Sequence, residues 1–170
     1  FQSVCESINF HHDGIDILVN AAGISLPVDD KYTEIERFSK TLSVNLLATY
    51  QCCEIASKFM CKNSSIINIT SIGSMLGFPN NPGYIASKGG VMALTKALAI
   101  DLSLKNIRVN NIVPGYIKTD MTEKSFNDKY YDILHILGLT KELGNKIMLR
   151  ETLYNYNDSN KKLAKELNSI

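Results

Sequence analysis

Residues 65–104 read SIINITSIGSMLGFPNNPGYIASKGGVMALTKALAIDLSL, and the order of patterns within them decides the fold. Ser65 to Ser71 is a short β-branched run that predicts a buried strand, and Gly73, Gly77, Pro79 and Pro82 punctuate the loop behind it. Small and apolar residues then continue from Gly83 to Leu104, the length of a long helix. Beyond it RVNNIVP, at 108–114, is another β-branched run, stopped by Pro114 and Gly115. A strand, a crossover helix and a further strand make a β-α-β unit whose strands lie parallel.

The same grammar is written upstream. IDILVN at 15–20 follows the turn signal Asp13-Gly14 and ends at Ala21-Ala22-Gly23, where small residues let a ligand or another chain come close. From Thr33 to about Cys61, Ile35, Phe38, Leu42, Leu46, Tyr50, Ile55 and Phe59 recur at three to five residues, as one face of a long helix would. The fold class is therefore α/β, part of a doubly wound Rossmann-like parallel sheet. In such sheets ligands bind beyond the carboxyl ends of the strands, so Gly23, Ser71 and Gly115 should face one crevice. Tyr84 and Lys88 open the helix that leaves the middle loop. Gly89 and Gly90 inside that helix each cost about 1 kcal/mol relative to alanine, which predicts close packing against the sheet or a second subunit.

Composition narrows the chemistry. A net charge of +1 and scarce arginine give no electrostatic reason to bind nucleic acid or an anionic membrane, so a small molecule is the expected partner. No stretch approaches the roughly eighteen uninterrupted apolar residues of a membrane span, and the amino-terminal residues lack a basic start, so the expected location is the cytoplasm. Cys5, Cys52, Cys53 and Cys61 show no C-x-x-C spacing and read as free thiols of a reducing compartment. His11, His12 and His135 make no ligand set with each other or with the thiols, so no metal is expected.

Taken alone, Tyr84 and Lys88 are a weak signal, because eight tyrosines in a lysine-rich chain supply a Y-x-x-x-K by chance about as often as not. Four patterns in order are a stronger one: VNAAG at 19–23, VNLLATYQ at 44–51, NITS ending at Ser71, and YIASK at 84–88 followed by VNNIVPGYIKTDM at 109–121. Together they resemble the short-chain dehydrogenase/reductase family, most closely its 3-oxoacyl-carrier-protein reductase-like and sugar or polyol dehydrogenase-like members, over roughly Asp13 to Thr122. The resemblance implies an NAD(P)-dependent oxidoreductase that interconverts a secondary alcohol and a ketone. It implies Tyr84 as the catalytic acid/base, Lys88 as its electrostatic partner, Ser71 as the hydroxyl holding the substrate oxygen and Asn45 as a polar group of a proton relay. It also implies that Asn20, Ala22 and Gly23 line the cofactor, together with Tyr84 and Lys88, and that Pro114, Ile117 and Thr119 pass its nicotinamide end. NAD and NADP cannot be told apart. The complete protein should be a homo-oligomer, paired through the helices at 33–61 and 83–104.

The residue types suit that chemistry on their own terms. A hydride arriving at a ketone leaves charge on the carbonyl oxygen, so a proton donor must stand within hydrogen-bond reach of it. A phenol ordinarily titrates near about pH 10, and an ammonium one helical turn away favours its phenolate. Ser71 can orient the oxygen without acting as a nucleophile, since no histidine base lies in a motif near it. For Asn45 the competing role is a buried amide that satisfies backbone groups and braces the first strand.

Two departures qualify the resemblance. The family's glycine-rich turn, which cradles the pyrophosphate at a helix N-terminus, is not among the ten glycines. The expectation is therefore a partial Rossmann-like domain over 1–122, a fragment whose first strand has an uncovered apolar edge. Residues 123–170 form a divergent segment, with Met121–Leu139 as a lid and the rest a polar tail. The rival reading is a catalytically inactive or truncated relative acting only in subunit pairing; a nucleotide-binding module without redox chemistry is a third. Substrate choice should lie with Met75, Leu76 and Phe78 and with that lid. Those residues permit an acyl-like substrate without excluding a sugar.

Overall fold

Thr33 starts the helical run that positions much of the site, and it does so with a reciprocal cap: its hydroxyl accepts the Glu36 amide while the Glu36 carboxylate accepts the Thr33 amide. The computed structural model describes residues 1–26, 28, 31–77 and 80–115. In chain order these form α1 (Gln2–His12), β1 (Ile15–Asn20), α2 (Glu34–Leu42), a π turn (Ser43–Leu47), α3 (Ala48–Ala56), β2 (Met60–Ile69), α4 (Pro82–Asp101) and β3 (Arg108–Ile112). Single 3-10 turns at Ile72–Ser74 and Ser103–Lys105 flank α4.

Among the described residues the sheet has the order β1-β2-β3, with both pairings parallel. The register sets residues abreast in rows: Leu18, Ile66 and Val109 form one, and Asn20, Asn68 and Asn111 the next. Side chains alternate between faces along a strand, so both rows point the same way, toward α3 and α4. Around the apolar row, Cys53, Leu98, Ala99, Leu102 and Ile107 complete the core.

Helix α4 lies over β2 and β3, and α3 over β1 and β2, so the two crossovers share one face of the sheet. Among the described residues β1 is an edge strand. On the other face Ile17 is 63% exposed and Val19 53%.

Expectations for the extent of the helix between β1 and β2 and for the end of β2 needed correction. The helix expected over 33–61 ends at Ala56 and carries a π turn within it; Met60 and Cys61 belong to β2. Its apolar stripe is partly covered: Phe38, Leu42, Leu46, Ile55 and Phe59 are half-buried and Ile35 and Tyr50 exposed, whereas Thr41, Asn45, Thr49, Cys53 and Ala56 face inward. The extra residue of a π turn rotates the run, and the small polar side chains let it settle close to its neighbours. Gly90 shows how close: a Cβ there would stand 2.7 Å from Leu46 Cδ2, so its packing partner is Leu46 of the π turn. Finally, Ser71 lies beyond the end of β2, capping the turn Ile72–Ser74.

Candidate active site

The carboxyl ends of the strands bring most of the expected residues together. Lys88, one turn into α4 from Tyr84, is 6% exposed, and its ammonium donates to the carbonyl of Ile69, the last residue of β2, at 2.8 Å. Its Nζ stands 5.8 Å from the centroid of the Tyr84 ring. Burial pushes the lysine below its usual range, because the charged form has lost water. One proton is committed to Ile69, and an ammonium carries three donors, so others remain for a ligand.

Asn45 projects from the π turn and is 1% exposed. Its amide reads the backbone of Ile24 at both ends, Oδ1 accepting the Ile24 amide at 2.7 Å and Nδ2 donating to the Ile24 carbonyl at 2.9 Å. The second Nδ2 proton goes to Ser87 Oγ at 3.0 Å. Those bonds use both donors of the amide, so its side chain braces the loop after β1.

Just before Ile24, a Cβ placed on Gly23 would stand 3.4 Å from both Asn45 Oδ1 and Lys88 Nζ. The missing side chain keeps a gap open between the loop and the ammonium.

Ser71 reaches the same end of the sheet by capping: its Oγ accepts the Gly73 amide at 3.1 Å, which leaves the hydroxyl proton able to donate. The Ile72 amide bonds the Pro114 carbonyl at 2.9 Å, drawing Pro114 beside this turn.

Asn20 is placed differently from a ligand contact. Its Nδ2 donates to Asn68 Oδ1 at 2.8 Å and to Cys53 Sγ at 3.2 Å, so the amide belongs to the row across the sheet. Asn68 in turn donates to Thr95 Oγ1 at 2.8 Å, and that hydroxyl faces Asn111 Oδ1 at the same distance. Desolvation within this row pushes the Cys53 thiol up to about 11. The four cysteines are free, as expected. Ala22 is exposed, while Ile117 and Thr119, with Phe78 and the lid and tail segments, lie outside the described residues.

Sequence reasoning missed Ser87 and Thr95. Both stand inside α4 on buried faces, and the available signal was a hydroxyl residue at helical spacing from Tyr84 and Lys88 within an apolar run.

A sequence model of the family described as enoyl-(acyl carrier protein) reductase matches residues 1–146. The chain belongs to the short-chain dehydrogenase/reductase family. The match runs past both ends of the stretch read from motifs alone. Among curated members, the 3-oxoacyl-[acyl-carrier-protein] reductase of Synechocystis sp. is 40% identical over 111 residues, which are 64% of this chain and 45% of that protein. Among solved members, 3-oxoacyl-[acyl-carrier protein] reductase from Brucella melitensis in complex with NAD aligns with TM-score 0.70 and 31% identity over 82% of this chain and 57% of that one. A gluconate 5-dehydrogenase from Burkholderia cenocepacia in complex with NADP and tartrate aligns at 0.67 with 27% identity, over 76% of this chain and 52% of that one. The chain spans about half the length of the curated relatives it matches.

The gap at Gly23 and the spare protons of the buried Lys88 ammonium suit the hydroxyl groups of a dinucleotide's sugar. A glycine-rich cradle for its pyrophosphate is not among the residues of this sequence.

Proposed function

We propose that these residues serve an NAD(P)-dependent oxidoreductase interconverting a secondary alcohol and a ketone, with Tyr84 as the proton donor and acceptor. The observation that carries the reading is the buried Lys88 ammonium, anchored on Ile69 beside the Tyr84 ring. When bound, the nicotinamide supplies or takes the hydride. Tyr84 gives its phenolic proton to the oxygen that becomes the alcohol, and Lys88 stabilises the phenolate left behind. Ser71 donates its hydroxyl proton to the same oxygen and orients it. Asn45 serves as a brace for the Gly23 turn.

The substrate is a carbonyl or alcohol of small-molecule size, acyl-like or sugar-like. Exposed Ile35, Leu47 and Tyr50 on the outer side of the α2–α3 run support pairing of the complete protein through that helix.

The test is a titration of the 170-residue chain with NADH and NADPH by nicotinamide fluorescence, alongside turnover on a ketone panel. Tyr84→Phe should lower kcat by about 10²–10⁴-fold while binding of the dinucleotide persists. Normal turnover by Tyr84→Phe would remove the assigned mechanism. The open face at Ile17 and Val19 favours a second reading, an inactive partner of another polypeptide. That reading gains if the chain binds neither dinucleotide yet self-associates.

A further inference from the structure

Ser87 is fully buried on α4, three residues after Tyr84. Its hydroxyl plays two opposite roles, accepting Asn45 Nδ2 at 3.0 Å and donating to the Tyr84 carbonyl at 2.7 Å. The second bond alone is a local habit of serine in helices, which satisfies the hydroxyl on the preceding turn. The first is not local, since Asn45 is 42 residues away in the chain and belongs to the π turn. Asn45 has no spare donor: its other proton and its oxygen are held by Ile24, in the loop that carries Gly23. Gly23 in turn faces the Lys88 ammonium.

We infer that Ser87 is a positioning residue: by fixing the Asn45 amide it holds the Gly23–Ile24 turn in place against the first turns of α4. Without its oxygen, one Asn45 proton is stranded in a dry site and must find water or rotate away. Either response loosens the two bonds to Ile24 and lets solvent reach Lys88. The Tyr84 ring borders the same space, 5.8 Å from Nζ. The coupling itself is geometric; only its catalytic consequence rests on the oxidoreductase reading.

Amide hydrogen exchange by NMR on the 170-residue chain tests it. Ser87→Ala should speed exchange at Ile24 by about tenfold or more, while Leu102, bonded to the Leu98 carbonyl at the far end of α4, stays within about twofold. The titration midpoint of Lys88 Nζ should rise toward that of ordinary lysine. In the Asn45→Ala background, adding Ser87→Ala should change Ile24 no further, because the two residues act through one contact. Equal acceleration at Ile24 and Leu102, an unmoved Lys88 midpoint, or effects that multiply in the double variant would each overturn the inference. Should Ser87→Ala fail to fold, Ser87→Cys, a weaker acceptor of similar size, is read by the same criteria. A wild-type chain without turnover counts against the oxidoreductase reading and leaves the exchange result decisive for Ser87. Where turnover is present, Ser87→Ala should lower kcat with KM for the ketone unchanged.

Discussion

On the face covered by α3 and α4, an apolar row of Leu18, Ile66 and Val109 lies beside an amide row of Asn20, Asn68 and Asn111; on the opposite face Ile17 and Val19 of β1 stand more than half exposed. The covered rows sit one pleat behind the Ile69 carbonyl that anchors Lys88, so packing and chemistry share one side of the molecule. Parallel strands ordinarily need cover on both faces. The described residues supply one layer over β1, and the chain spans about half the length of the curated relatives it matches. The contrast teaches that the part carrying Tyr84 and Lys88 is internally well braced, while one face of β1 stays open.

The largest test of that contrast is Ile66→Ala. Ile66 is fully buried in the apolar row, and its truncation should cost about 2–5 kcal/mol in denaturant unfolding. A cost below about 1 kcal/mol would mean the covered face is not the core. Next comes Asn68→Ala, which strands the Asn20 amide and removes the donor to Thr95; each buried group left unsatisfied should cost about 1–3 kcal/mol. If the loss is negligible, water has replaced the row and its amides do not set the register.

Lys88→Met probes the boundary between stability and chemistry. Burial lowers the folded-state value of Lys88 below its unfolded one, so between the two the unfolded chain binds more protons. The penalty of burying its charge is therefore complete below the folded value and is relieved as pH rises through it. Lys88→Met should match or exceed wild-type stability at neutral pH, with the difference moving in favour of wild type as pH is raised toward about 10. Parallel unfolding curves at the two pH values, with an unchanging gap, would show that desolvation is not the cause. The smallest expected effect belongs to the open face: Val19→Thr should change stability by no more than about 0.5 kcal/mol. A cost comparable to Ile66→Ala would break the comparison outright, because Val19 would then be buried in solution.

Much of this was legible before any coordinates. The β-branched runs located three strands, the turn signals bounded them, and YIASK with Ser71 and VNAAG marked the end of the sheet where ligands belong. The capping pair Thr33 and Glu36 went unread, although it is a local pattern with both partners within one turn. The helix between β1 and β2 was harder. Its hydrophobic letters pointed to Ile35 and Tyr50, yet burial fell on Thr41, Asn45 and Thr49, because the face that packs is chosen by partners distant in the chain.

Asn20 and Asn45 divide the remaining credit. Sequence alone determined that both are polar residues set among apolar ones, Asn20 at a strand end and Asn45 within a helical run, and that Tyr84 and Lys88 share a helical face, because residue type and local spacing are properties of the chain itself. Tertiary structure decided what each amide does: Asn20 turns into a row across three strands, and Asn45 clamps Ile24 and meets Ser87. Those partners lie 21 to 48 residues away along the chain. A buried amide takes its role from whichever donors and acceptors the folded backbone presents to it, and long-range register is not written in any window of neighbouring letters.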